Sequence, residues 1–223
     1  MTNSISDNLD AVRATLPEGV ELVAVSKFHP VDALRQAYDA GQRRFGESRV
    51  QELTAKIPLM PPDTEWHFIG HLQTNKLKHI VGRVSMIESV DSLRLLGLID
   101  DMSAEHGVVS RVLMQVHVAA EQTKTGFMPD ELLDWFAGRG FERLRATHIC
   151  GLMGMATNTD DTARIDADFA AIADLRRRIL AIAPDLRGFD TLSMGMSDDY
   201  PRAIAAGSTL VRVGTAIFGP REY

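Results

Sequence analysis

Eight short apolar runs, separated by stretches of helical periodicity, constrain this chain more than any other feature. They lie at Glu21–Lys27, Arg43–Glu47, Trp66–Gly70, Val84–Ser89, Val112–Val118, Thr147–Met153, Thr191–Met196 and Leu210–Phe218. Runs this short and this continuously apolar suit parallel strands covered on both faces by helices. Between them, Val31–Ala40 follows Pro30 and stops at Gly41, and Asp91–Glu105 stops before Gly107. Pro129–Ala137 opens on proline and closes at Gly138, while Asp160–Ala183 places Ile165, Phe169, Ile172, Leu175 and Ile179 on one face. Proline in a first turn and glycine just past a last turn are favoured helix ends. Eight such βα units predict an α/β fold, a single TIM-type (β/α)8 barrel, because closing the sheet removes both of its edges. An open doubly wound sheet is the runner-up. It lacks a GxGxxG turn after the first strand, whose exit reads Ser26-Lys27-Phe28-His29-Pro30.

With 223 residues and no long linker, the chain reads as one domain over 1–223. The eighth run comes almost at the end, so a final helix is missing. The segment 1–20, with Leu9, Val12 and Leu16 on one face, is expected to pack on the barrel in its place. A net charge of −6 argues against nucleic acid or an anionic membrane surface as a partner. The polar start MTNSISDNLD and the lack of any eighteen-residue apolar run predict neither a secretory leader nor a membrane span. The lone Cys150 rules out an internal disulfide and argues against a cysteine-based zinc site. A cytoplasmic, monomeric protein is the expectation.

In a parallel barrel, chemistry collects at the C-terminal ends of the strands. Lys27 stands there after Leu22-Val23-Ala24-Val25. A lysine among apolar side chains loses charge stabilisation, so its neutral amine becomes available to attack a carbonyl; the alternative is a strand-end lysine reaching into water. Ser193-Met194-Gly195-Met196-Ser197-Asp198-Asp199 leaves the seventh strand towards a helix near Asp199, and Val213-Gly214-Thr215 lies on the next strand. Small residues in both loops offer N–H groups to a phosphate. Ser193 and Asp198 as simple helix caps explain the first loop equally well. Arg212 interrupts an apolar strand, so it needs either a buried carboxylate, with Asp190 or Glu47 as candidates, or a ligand atom above it. Alternation puts Arg212 one layer below Gly214, an arrangement that suits a planar phosphorylated ring. His67 and His71 share a face but lack the carboxylates a metal site needs, so no metal is expected. Met153, Met155, Met194 and Met196 read as pocket or core filler, and Arg176-Arg177-Arg178 as a solvated helix face.

Five stretches together resemble the pyridoxal-phosphate homeostasis protein family, relatives of the barrel domain of alanine racemase. They are Leu22–Lys27, Phe45–Ser48 with Val50-Gln51-Glu52, Trp66–Lys76, Leu192–Asp199 and Val211–Gly219, spread from the first strand to the eighth, so that the resemblance spans essentially everything after residue 20. The resemblance implies a fold-type III barrel without the second β domain. It implies pyridoxal 5'-phosphate (PLP) as cofactor, an internal aldimine on Lys27, phosphate held by Ser193, Gly214 and Thr215, and Arg212 facing the pyridine nitrogen. Ser48 stands where the family usually has asparagine, which puts an amide contact there in doubt. An arginine keeps its protons, so the ring nitrogen stays unprotonated and is a poor electron sink. With the chain ending at Tyr223, the tyrosine that the racemase brings from a second domain and a partner subunit has no counterpart. The expected function is therefore intracellular PLP homeostasis by a reversible carrier, not an enzyme. Amino or keto acids and apo-enzymes using PLP are the partners that such a role brings. Two alternatives stay open at this point: a single-domain racemase, with His71 or Tyr200 as the second base, and a cofactor-free Schiff-base aldolase on Lys27.

Overall fold

The computed structural model describes residues 4–121 and 125–220. The first three residues of the polar start and Arg221, Glu222 and Tyr223 lie outside the described residues. Eight strands form a closed barrel in sequence order, every neighbouring pair parallel. They are β1 (Glu21–Val25), β2 (Arg44–Glu47), β3 (Glu65–Phe68), β4 (Met86–Val90), β5 (Ser110–Val116), β6 (Thr147–Gly154), β7 (Thr191–Ser193) and β8 (Leu210–Val213). Each of the eight runs overlaps one strand, and the ladder is generally shorter than the run, although β5 starts two residues before its run and β3, β4 and β6 each reach one residue outside theirs. Lys27, Gly70 and His71 stand beyond the hydrogen-bonded ends of β1 and β3. The eighth run differs most. After Val213 the backbone turns at Gly214 and Thr215–Phe218 becomes a short helix that buries Ile217.

Helices follow the strands: α1 (Ile5–Arg13), α2 (Val31–Asp39), α3 (Val50–Lys56), α4 (Leu93–His106), α5 (Pro129–Ala137), α6 (Thr162–Ile182), α7 (Tyr200–Ala205) and α8 (Thr215–Phe218). Their ends have the expected chemistry. The Ser92 hydroxyl accepts the Leu95 N–H at the start of α4, and Gly107 ends it in the left-handed conformation at φ 66°. Asp161 accepts from Ala163 and Arg164 at the head of α6, whose Phe169, Ile172, Leu175 and Ile179 are buried. Helix α3 and the 3-10 turns at 57–59 and 74–79 have too little apolar periodicity to be read from spacing. Helix α1 carries a capping box between Ser4 and Asp7, buries Leu9 and Val12, and packs on α2 and α8. Its Asn8 amide donates to the Ile217 carbonyl at 3.0 Å, so α1 occupies the flank where an eighth full-length helix is lacking.

Outward-facing strand residues such as Leu22, Ala24, Phe45 and Leu152 join the helices in one large core. Inside the barrel a smaller apolar group of Met86, Leu113, Cys150 and Met153 shares the space with buried His67, Glu88, Ser193 and Arg212. At Gly151 (φ 152°) a Cβ would lie 1.8 Å from the Thr191 carbonyl oxygen, so only glycine allows β6 to bulge against β5 there while lying in register along β7. No helix among the described residues is long and apolar enough to cross a membrane.

Candidate functional site

At the C-terminal end of the barrel, a cavity of about 290 Å³ opens between the ends of β1, β6, β7 and β8. Its wall includes Lys27, His29, Ser197, Asp198, Arg212, Gly214 and Thr215, with Val25, Ile69, Met153, Met155 and Met196 as the apolar part. This is close to the lower end of small-ligand sites, roughly 300–1,000 Å³. Four of the five expected site residues, Lys27, Arg212, Gly214 and Thr215, thus share one cavity.

Lys27 is half-buried, two residues past the end of β1. The turn that carries it contains Phe28 at φ 68°, a left-handed conformation unusual for a residue with a Cβ. A buried ionic cluster holds this turn. The Phe28 N–H donates to Glu52 at 2.6 Å. The same Glu52 oxygen accepts from Lys56 at 2.6 Å, and Lys56 also donates to Glu47 at 2.8 Å and to the Ser26 carbonyl at 2.9 Å. The Ser26 hydroxyl completes the cluster by donating to Glu47 at 2.6 Å. Burial pushes the Glu47 carboxyl above its ordinary value against the pull of Lys56 and Ser26, and its Oε2 has no hydrogen-bond partner among the described residues. The Arg49 guanidinium lies 4.6 Å from the centre of the Phe28 ring.

On the opposite side of the cavity, the Ser197 hydroxyl receives the N–H groups of Gly214 (3.3 Å) and Ala216 (3.4 Å). A hydroxyl and two backbone N–H groups thus converge at the rim, the N–H groups bonded to the hydroxyl in this structure, and small residues of this kind are the material of an anion site. The loop before it is shaped by Gly195 at φ 92°, where a Cβ would lie 2.7 Å from both Ala203 and Tyr200. Neither Ser193 nor Asp198 caps the following helix, which spans only Tyr200–Ala205. Asp199 precedes it and accepts the Met196 N–H at 2.6 Å. Burial raises the Asp199 carboxyl above its ordinary value, opposed by that N–H and by Arg212.

Ser193 departs from expectation. It is fully buried in β7, is not part of the cavity wall, and its hydroxyl is committed to Glu88 at 2.6 Å and to Arg212. The rim position expected of it belongs to Ser197, four residues further along. The carboxylate partner of Arg212 is likewise neither Asp190 nor Glu47: Asp190 is exposed, and Glu47 belongs to the Lys56 cluster. Glu88 lies 3.7 Å from Arg212. Arg212 is 4 % exposed, and its guanidinium donates to the Ser193 carbonyl (2.8 Å), the Ser193 hydroxyl and the Gly154 carbonyl (3.0 Å). Burial disfavours its charge; Glu88 and Asp199 support it. Burial also opposes the charge on Glu88, yet the His67 bond at 2.6 Å, Arg212 and Ser193 together hold its carboxyl below the ordinary value.

The remaining candidates lie elsewhere. His67 is inside the barrel on Glu88, whereas His71 is exposed at the rim, 3.1 Å from Asp91, so the two imidazoles share no site. The Tyr200 hydroxyl bonds Thr15 at 2.8 Å, away from the cavity wall. Among the described residues no group of three His, Cys, Asp or Glu side chains could hold a metal ion. Glu88 is the residue that sequence reasoning leaves out, while His67 enters it only as a metal ligand and Ser197 only as part of its loop. The signal that marked Arg212, a charged group inside an apolar strand, also marks Glu88 in Met86-Ile87-Glu88-Ser89-Val90.

A parallel barrel with a lysine, an anion cradle and a floor arginine at its C-terminal end defines a class. The profile of the alanine racemase N-terminal domain matches residues 2–222, and the chain belongs to that family. Within it, the chain is 39% identical over 217 residues to the pyridoxal phosphate homeostasis protein of Pasteurella multocida, covering 95% of this chain and 91% of that one. PipY of Synechococcus elongatus, solved without PLP, superposes with a TM-score of 0.92 at 40% identity, over 96% of this chain and 100% of PipY. PipY with PLP bound gives 0.88 at 38% identity, with the same coverage.

Proposed function

We propose that this protein takes part in PLP homeostasis by holding the cofactor reversibly on Lys27. The observation that carries the reading is the joint presence, around one small cavity, of an amine, an anion cradle and a buried guanidinium. Each matches one feature of PLP: the aldehyde, the phosphate and the acceptor nitrogen of the ring. The PLP-bound relative and the shared family of homeostasis proteins support it. PLP supplies an aldehyde that condenses reversibly with amines, releasing water, and a conjugated ring that absorbs visible light.

The chain's residues take these roles. Lys27 Nζ is the attachment point, placed by the Phe28 turn. Ser197, Gly214 and Thr215 receive the phosphate, and Arg212 addresses the ring. Asp198, also in the wall, is exposed and can turn its charge to water. Met153, Met155 and Met196 give the ring an adaptable apolar wall. Neither His71 nor Tyr200 lines the cavity, which argues against the two second bases that the sequence offered; His29 is the imidazole in its wall.

The test is borohydride reduction of protein loaded with PLP, followed by peptide mass analysis. A pyridoxyl mass on the Lys27 peptide, lost in Lys27→Ala, is the expected result. A wild type that yields no adduct with excess cofactor overturns the reading. Carriage also predicts that L-amino acids exchange their Cα proton in deuterium oxide no faster than with free PLP.

A further inference from the structure

Arginine offers five N–H donors in a rigid plane. At Arg212, Nη1 spends its two on the carbonyl and hydroxyl of Ser193, and Nη2 spends one on Gly154. Among the described residues these bonds leave one Nη2 hydrogen and the Nε hydrogen uncommitted, on a side chain that forms part of the cavity wall. The plane of the guanidinium, and hence where those donors point, is set by the Gly154 carbonyl on Nη2 and by Ser193 on Nη1. The Ser193 hydroxyl in turn donates to Glu88 Oε2 at 2.6 Å. Glu88 is fixed in turn through Oε1, which meets His67 Nδ1 at 2.6 Å. Every member of this chain is buried, and Glu88 and Ser193 have no exposed surface. A hydroxyl whose proton is drawn to a carboxylate is a better acceptor for a guanidinium N–H, so the links strengthen one another.

Resting on the function proposed above, we propose that Glu88 and Ser193 are positioning residues that aim Arg212 at the ring nitrogen of the bound cofactor. Recognition of that nitrogen then depends on a carboxylate that never touches the ligand. His67 is the outer end of the same chain. Breaking it removes or weakens the hydroxyl bond, one of three that fix the guanidinium, and loosens its aim while the Ser193 and Gly154 carbonyls still hold it in place.

The experiment compares two ligands, PLP and its 1-deaza analogue, which carries C–H in place of the ring nitrogen. The ratio of their dissociation constants isolates the nitrogen contact from general damage to the cavity, which weakens both ligands alike. A hydrogen bond from a charged donor predicts that wild type prefers PLP by about 10- to 100-fold. Ser193→Ala and Glu88→Gln should bring the ratio within about 3-fold of unity, with the pyridoxyl adduct still on Lys27. Ser193→Ala removes one hydroxyl and decides the matter if Glu88→Gln fails to fold, as judged by circular dichroism. Either folded variant keeping the wild-type ratio overturns the proposal. So does a wild type that forms the Lys27 adduct but binds both ligands equally, a result that leaves the carrier function standing. Failure of the adduct itself strikes the function first.

Discussion

Two buried polar clusters flank the cavity, and they use their hydrogen bonds differently. The cluster behind β1, built from Ser26, Glu47, Glu52 and Lys56, spends all three Lys56 protons on protein acceptors. None of its members lines the cavity, and its product is a backbone conformation, the left-handed Phe28 beside Lys27. The cluster under the cavity, built from His67, Glu88, Ser193 and Arg212, leaves two guanidinium hydrogens unspent on a residue of the cavity wall. The first spends every Lys56 proton within the protein, with Glu47 Oε2 unpartnered among the described residues, and so reads as scaffold; the second keeps donors at the cavity, as the proposed recognition requires. Burial alone distinguishes nothing, since the charged members of both are largely removed from water.

The contrast can be broken most forcefully at Lys56. Lys56→Met leaves Glu47 buried without its cation, and losing one partner of a buried pair costs about 3–5 kcal/mol. Urea unfolding should show that loss, while the ratio of PLP to deaza-PLP affinity stays at the wild-type value. Arg212→Lys keeps the charge but loses the fork, and should instead act on recognition. About tenfold weaker PLP binding by fluorescence titration is expected, with a smaller loss of stability than at Lys56. A finer probe is the turn itself. Glu52→Ala removes the acceptor for Phe28, and Phe28→Gly removes the need for it. A double-mutant cycle should give a coupling of about 1 kcal/mol, and a zero would detach the cluster from the Lys27 turn.

Acid separates the clusters by sign, with a slope no larger than about 1.4 kcal/mol per pH unit for each group. Glu88 has a folded value below the ordinary 4.5, so its contribution is present above that value and is lost as pH falls through the folded one. Glu47 has a folded value above 4.5, so folded protein holds that proton longer than the unfolded chain, and stability falls as pH rises from 4.5 through the folded value. Urea midpoints of Glu47→Gln and Glu88→Gln against wild type across this range should therefore diverge from it in opposite directions.

Much of this arrangement was legible in the residues. Strands buried on both faces must be apolar throughout, so all eight appear as runs, and Pro129, Gly107 and Asp161 mark helix ends for local reasons. Lys27 and Arg212 stand out because each breaks an apolar context. The strand ends were misjudged where polar residues continue a run beyond the ladder, as at Lys27 and Gly70. At β8, Ile217 continues the apolar run but belongs to a helix. Ser193 ends β7 and Ser197 follows four residues later in the loop, and spacing cannot show which hydroxyl faces the cavity and which faces Glu88. That choice depends on β4, more than a hundred residues earlier in the chain.

Strand β8 carries Arg212 and pairs with β1 across almost the whole chain, Val23 opposite Arg212. The ring is therefore sealed by its most distant contact, the kind whose loop-closure entropy is met late in folding. Until that seam forms, the cavity has a lysine but no floor beneath it. On the function proposed, a nascent chain would present the amine before the guanidinium that selects its aldehyde, because Lys27 is made well before Arg212.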